Sequence, residues 1–456
     1  MDSNLQKQAE KHRRMTEEPV GPLICRLAGP CIISMLVTAF YNMADTFFVG
    51  LLNSNSATGA VGVAFSLMAV IQAIGFFFGQ GLGNFVSREL GRQNRQAASE
   101  MAVTGVLLSF LCGALLALLG TLFLAPLVRL LGATETILPY AERYVAFILL
   151  GAPWMTASLA LNNLLRFQGS TVYSMVGVSA GAALNVALDP LLIFSLDLGV
   201  AGAAIATSVS QFVGFCLLLI GCARGDNLQL RLSNFRPNRA YIGHLLRGGL
   251  PSLCRQGLNS VGMIVLNHSA GLYGDAAIAA ITVVNRIMQT ASSALFGFGQ
   301  GFQPFCGFNY GARRYDRVRQ GFWFCVKVST AVLAALAATG LVFAPQLVAL
   351  FRDDPQVIAY GAFALRLQCL VYPLFAWVVC SNMMLQTLNR TVPATFLATA
   401  RQGLCLIPAL LILTPLLGFL GVQLAQPMAD VFTFLVSTPF QLCLLRELKA
   451  EEQKHR

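Results

Sequence analysis

The chain has 456 residues, 56% hydrophobic and only 11% charged, with a formal net charge of +11. A soluble domain carries roughly 25% charged residues, and the apolar runs here far exceed core strands of about 5–6 residues. A soluble α/β protein is therefore excluded, and the positive charge, which sits in short polar gaps between apolar runs, reads as membrane topology rather than nucleic-acid binding.

Residues 1–21 are polar and lack an apolar h-region, so no cleavable signal peptide is expected and the first span acts as its own insertion signal. A spanning helix takes about 20 apolar residues. The pattern predicts twelve, at roughly 22–50, 58–86, 96–124, 138–165, 172–196, 200–221, 241–270, 276–305, 320–344, 356–386, 393–415 and 420–445. The fold expected is an all-α integral membrane protein.

Positive residues orient it. Lys7, Lys11, Arg13 and Arg14 precede the first span, and Arg88, Arg92 and Arg95 follow the second. Arg224, Arg231, Arg236 and Arg239 follow the sixth, and Arg313, Arg314, Arg317 and Arg319 the eighth. Arg446, Lys449, Lys454 and Arg456 close the chain. All fall on one side of a twelve-span count. The opposite gaps are nearly bare (Asn53–Ser56, Asp197, Gly274 with Asp275, Pro415–Gly418), Arg129 and Arg352 excepted. Both termini are expected to be cytoplasmic.

An internal repeat organises the spans. Phe78-Gly79-Gln80-Gly81 recurs as Phe298-Gly299-Gln300-Gly301, an offset of 220 that also pairs Phe85 with Phe305, Gly91 with Gly311, Pro153 with Pro373 and Asn162 with Asn382. Gly199 and Gly202 match Gly418 and Gly421 with one residue lost, and Pro30 matches Pro251 with one gained. Each half holds six helices, an even number, so the halves insert in the same direction as parallel repeats. The expected organisation is a tail (1–21), an N-lobe (22–221), a linker (222–240), a C-lobe (241–445) and a second tail (446–456). A cleft between two such bundles, and rocking of one against the other, would give alternating access.

Intramembrane carboxylates are expensive and default to a functional reading. Asp45 lies late in the first span, and Asp189 late in the fifth within Asn185-Val186-Ala187-Leu188-Asp189-Pro190. Counting about 1.5 Å per residue puts both at one depth, with Thr207 of the sixth span. Asn185 is one turn from Asp189 on the same face, and Pro190 leaves the Val186 carbonyl without its helical donor and favours a kink. Such oxygen ligands suit Na⁺ or a shared proton. The competing reading is that each acid pairs with a buried donor. At the 220 offset these acids become Val265 and Ala409, so this site is confined to the first half. The second half has Arg255, Arg286, Arg401 and Asp430. One reading locks the bundle with Asp430 on Arg286 or Arg401. The other turns Arg255 toward substrate, with Gln256, Asn259, Asn285 and Gln402 around it.

Other features read as packing. Gly75, Gly79 and Gly83, and again Gly177 and Gly181, form small-residue steps for close helix contact. The twelve cysteines are scattered and form no CxxC pair, and no two of the four histidines have metal-ligand spacing. No metal site, cofactor or catalytic constellation is expected. Abundant Met and Phe suit lipid contact or an adaptable binding wall.

The stretch from Gly301 through Phe308-Asn309-Tyr310-Gly311 to Asp316 resembles the signature after the eighth helix of multidrug and toxic compound extrusion (MATE) transporters. So do Tyr41-Asn42 with Asp45 and Gly50, Asn185 with Asp189-Pro190, and Arg401-Gln402-Gly403 followed by Ile407-Pro408. Pro251-Ser252 with Arg255-Gln256 is similar to the MepA-like bacterial subgroup. The resemblance implies two six-helix lobes in a prokaryotic cell membrane and export of organic compounds, often lipophilic cations, in exchange for H⁺ or Na⁺. It implies an N-lobe ion site at Asp45, Asn185, Asp189 and Thr207. Another branch has a glutamate where this chain has Asn259, so that branch's C-lobe ion site is not carried over. The expected partners are small organic substrates and membrane lipids, with no nucleic acid, and the expected state is a monomer. The alternatives are a flippase for a lipid-linked precursor, a channel, and a membrane-embedded enzyme.

Overall fold

In the computed structural model the described residues are 2–51, 55–224 and 227–454. Asn53 and Ser54 of the expected Asn53–Ser56 connection lie outside them, as do His455 and Arg456.

The described residues are almost wholly helical. In the first half α1 (Asp2–Glu17), α2 (Val20–Gly50), α3 (Asn55–Gly91), α4 (Arg95–Leu122), the short α5 (Leu124–Leu130), α6 (Leu138–Phe167), α7 (Thr171–Pro190) and α8 (Gly199–Ala223) follow in order. The second half has α9 (Arg239–Gly271), α10 (Asp275–Gly311), α11 (Tyr315–Ala349), α12 (Pro355–Thr387), α13 (Thr391–Thr399), α14 (Ile407–Leu417) and α15 (Phe419–Lys454). With α13 and α14 counted as one span joined by a π-helical stretch, the twelve expected spans are all present. Among the described residues ten spans are long and apolar enough to cross a membrane by composition alone, and α9 and α10 are not among them. Leu115, Leu118 and Leu122 on α4, and Leu411, Ile412 and Leu416 on α14, point outward, as a surface solvated by lipid requires.

The repeat is written into the backbone. Left-handed residues recur at matching places: Gln93 (φ 61°) and Arg313 (φ 59°), Gly169 (φ 80°) and Asn389 (φ 60°), Gly199 (φ 54°) and Gly418 (φ 63°). These are the turns leaving equivalent helices. Packing repeats too. A Cβ on Gly79 would lie 2.6 Å from the Asn163 side chain, and one on Gly299 would lie 2.3 Å from Met383, the residue 220 further on. Each half thus seats its second helix on its fourth, α3 on α6 and α10 on α12, through the same missing side chain.

Contacts divide the chain into two compact units, one of residues 1–17 and 33–249, the other of 18–32 and 250–456. The cut falls inside α2 and α9 rather than in the 222–240 linker suggested by sequence. The physical reason lies in the second glycine of the repeated motif. A Cβ on Gly81 would stand 2.6 Å from the Leu245 carbonyl oxygen, and one on Gly301 would stand 2.4 Å from the Ala28 Cα. Backbones approach that closely only where side chains are absent, so the first part of α9 belongs with α3 and the first part of α2 with α10.

Two stretches differ from expectation. Residues read as a polar tail form α1, which docks within the first unit: Lys11 Nζ donates to Ser170 Oγ at 3.0 Å, His12 Nε2 lies 3.0 Å from the Gly91 carbonyl, and Met15 and Thr16 are buried. The linker is also tied down. Asn234 donates to Ser99 Oγ at 2.8 Å, and Leu228 N–H donates to Gln168 Oε1 at 2.7 Å.

Candidate functional site

In the first unit α7 runs into Pro190. The helix does not break there; it widens into a π turn at Leu191–Ser195, with Leu196 N–H donating to Leu191 C=O at 3.0 Å. A proline removes one helical donor, and π turns absorb such irregularities and often mark functional places. Immediately before the turn Asn185 and Asp189 share a face, both essentially inaccessible at 1% and 0% exposure. Thr207 on α8 faces them and is as deeply buried. With the Asn185 amide nitrogen turned toward the acid, it donates to Asp189 Oδ2 at 3.2 Å while its oxygen accepts from the Thr207 N–H at 3.2 Å. The amide orientation follows from satisfying both contacts.

Asp45, on α2, completes the group and lies near enough to Asp189 to act on its charge. Asp45 Oδ1 and Asp189 Oδ1 are buried and have no hydrogen-bond partner. Among the described residues neither acid has a Lys, Arg or His within ion-pair distance. The structure therefore brings Asp45, Asn185, Asp189 and Thr207 together. It adds residues that sequence reasoning missed. Tyr41 is buried one turn before Asp45, near Thr207 and Gln211. Tyr144 on α6 is fully buried beside both acids, its hydroxyl unpartnered. The i,i+4 spacings of Tyr41 with Asp45 and of Thr207 with Gln211 were available signals; Tyr144 had none. A cavity of about 150 Å³ reaches this group at Tyr41, Asn185 and Gln211.

In the second unit a cavity of about 310 Å³ is lined by Arg255, Gln256, Asn259, Asn285, Arg401 and Gln402 among others. All five residues expected around a substrate therefore meet there. On α9, Arg255, Asn259 and Met263 are spaced by four and line one face. On α10, Asn285, Met288, Gln289, Ser292 and Phe296 make a stripe of helical period. Arg401 and Gln402 lie in the π-helical stretch Ala400–Leu406, which bulges them out of the α register. Asp430 takes Arg401: Nε donates to Oδ1 at 2.6 Å and Nη2 to Oδ2 at 3.4 Å. Gln426 adds a donor to Asp430 at 3.2 Å, and the guanidinium lies 4.2 Å from the Phe375 ring centre. Arg286 stays outside this pair, exposed on α10.

The two cavities are one cavity in two repeats. At the 220 offset Met68 pairs with Met288, Phe76 with Phe296, Met155 with Phe375 and Asn162 with Asn382, all lining residues. At the same offset Gly181 of the first stands where the second has Arg401, and among the described residues no arginine or lysine lines the first.

A family model described as MatE matches the chain twice, over residues 30–191 and 251–412. The chain belongs to the MATE family. The two matched segments begin 221 residues apart, in step with the repeat. The protein is 28% identical over 411 residues to a multidrug export protein, MepA, of Staphylococcus haemolyticus, covering 89% of this chain and 90% of that one. Among solved structures it is similar to an outward-facing multidrug-resistance MATE transporter of the MOP superfamily, with 26% identity and TM-score 0.89 over 95% of this chain and 99% of that one. It is equally similar to a MOP-superfamily transporter from Pyrococcus furiosus whose binding pocket is described as reversed in polarity, with 26% identity and TM-score 0.89 over 96% and 98%. MATE proteins are efflux transporters, so the chain is a multi-pass membrane transporter of twelve helices in two lobes and not an enzyme.

Proposed function

We propose that this MATE protein is a secondary-active antiporter that exports small lipophilic organic compounds, often cationic, in exchange for H⁺ or Na⁺. One observation carries the coupling. Asp45 and Asp189 sit in a buried polar group, each with an orphaned oxygen and, among the described residues, no protein cation to neutralise it. An isolated buried carboxylate costs many kcal/mol, so a bound cation or proton must supply the balance. Asn185 and Thr207 add neutral oxygens, which suit a hard cation. The name of the staphylococcal relative supports drug export, and the larger cavity of the second unit, with its Met and Phe walls, supports binding of varied organic bodies.

Coupling requires that ion and substrate favour different conformations. Ion entry at Asp45 and Asp189 would drive the state that releases substrate outward. The positive residues on one side of the span count support cytoplasmic termini. The test is ethidium efflux from reconstituted vesicles, driven by a pH gradient and separately by a Na⁺ gradient. Efflux under one gradient that is lost in Asp189→Asn supports the proposal and names the ion. Undiminished gradient-driven efflux in that variant would sink the site.

A further inference from the structure

The cavity of the second unit has a charge balance that export of cations leaves unused. Its lining carries two guanidiniums, Arg255 and Arg401, and no carboxylate. Arg401 is neutralised by Asp430 from outside the lining. Arg255 is partly buried on α9, and among the described residues it makes no hydrogen bond or ion pair. A guanidinium held away from water without a counter-charge is costly. Its planar fork matches a carboxylate with two parallel hydrogen bonds.

The surroundings say what else the occupant carries. Asn259 and Gln256 flank Arg255 with neutral amides that could donate to the same anionic head. Met263, Met288 and Phe296 supply an apolar wall, and the Phe296 ring meets Phe375 edge-on at 6.0 Å. A volume of about 310 Å³ is at the small end of ligand sites, about 300–1,000 Å³. That size fits one compact organic body and not a long polyprenyl chain.

We propose that this cavity is an anion-accepting subsite in which Arg255 receives the carboxylate of a small amphipathic organic acid or zwitterion, whose apolar body lies on the Met and Phe wall. The proposal rests on the transport reading above and widens its substrate class from cations to compounds bearing a carboxylate. The repeat sharpens it. Among the described residues the equivalent cavity of the first unit is lined by no arginine or lysine, so the cation is not something the scaffold requires.

The test is equilibrium binding of dansylglycine, and of its neutral amide dansylglycinamide, to the full chain in phosphatidylcholine nanodiscs, read by dansyl fluorescence. The wild type is expected to bind the carboxylate about tenfold more tightly than the amide, the size of one charge-assisted contact. Arg255→Gln should erase that preference while still binding the amide, which also reports that the variant is folded. Arg255→Lys should keep part of it, and Asp189→Asn should keep all of it. Equal affinity for the two probes in the wild type, a preference that survives Arg255→Gln, or no binding of either probe overturns the proposal. A second arm repeats the titration in nanodiscs of equal parts phosphatidylcholine and phosphatidylglycerol. Retained dansylglycine binding supports a soluble substrate, whereas its loss would assign the cavity to a lipid headgroup and overturn the substrate reading. An efflux assay that fails under both gradients while the Arg255-dependent preference stands would remove the antiport mechanism alone.

Discussion

The two cavities occupy equivalent places in a duplicated scaffold, and the charged groups at or beside them differ in sign. Among the described residues, the first unit gathers Asp45 and Asp189 around Thr207 with no cation to answer them; the second gathers Arg255 and Arg401 with Asp430 behind the lining. Their walls match residue for residue in places, as Phe76 matches Phe296 and Asn162 matches Asn382. The helices and their crossings are set by glycines and apolar faces that repeat. The chemistry is set by a few side chains that do not. A duplicated fold thus lets two equivalent places carry different chemistry, which on the proposed reading serves a small cation in one unit and an organic body in the other.

The largest expected effect breaks the acidic side. Asp189→Asn or Asp45→Asn should reduce gradient-driven efflux by at least about a hundredfold, since buried charge is where coupling energy is stored, while size-exclusion profiles stay unchanged. Next, the acids should differ in what they do for stability. Asp430→Asn strands Arg401 and should cost about 2 kcal/mol, less than the roughly 3–5 of a fully buried pair because Arg401 is partly exposed. Asp189→Asn strands no cation and should leave thermal unfolding in detergent unchanged or shifted upward; equal losses in the two variants would erase the contrast drawn here. A smaller effect is expected from Tyr41→Phe, which removes a buried hydroxyl near Thr207 and Gln211 and should slow transport severalfold, about 1 kcal/mol, without abolishing it. The smallest comes from Arg286→Ala, whose side chain is exposed and outside the Asp430 pair. Its unfolding should stay within about 0.5 kcal/mol of wild type.

Much of this was legible in sequence for identifiable reasons. Apolar runs give spans because lipid satisfies no backbone group, and every expected span is a helix whose ends lie within six residues of the sequence reading, α15 excepted, which runs on to Lys454. Asp45 and Asp189 stood out because a carboxylate in such a run needs a reason. Asn185 and Thr207 followed from depth and helical spacing. What was hidden depended on three dimensions. Tyr144 reaches the acids from a helix with no local cue. The choice of Arg401 over Arg286 by Asp430 follows from the π-helical stretch at Ala400–Leu406, and propensity does not announce π turns. The docking of α1 was missed because a charged segment reads as solvated, although Met15 and Thr16 are buried against the first unit.

The polar stripe that makes the second cavity also bears on how the chain is assembled. Arg255 on α9, and Asn285, Gln289 and Ser292 on α10, are part of the reason these two helices fall short of the others in apolar character. An arginine near the middle of an inserting helix costs about 2.5–3.5 kcal/mol, and when α9 and α10 leave the ribosome the helices that complete their cavity, α12 and α13, are not yet made. The pair must therefore enter the bilayer as a hairpin and wait, incompletely housed, for the rest of the lobe. The residues proposed to hold cargo are the same ones that would make biogenesis depend on order, and a chain cut after α10 should be caught by quality control rather than accumulate in the membrane.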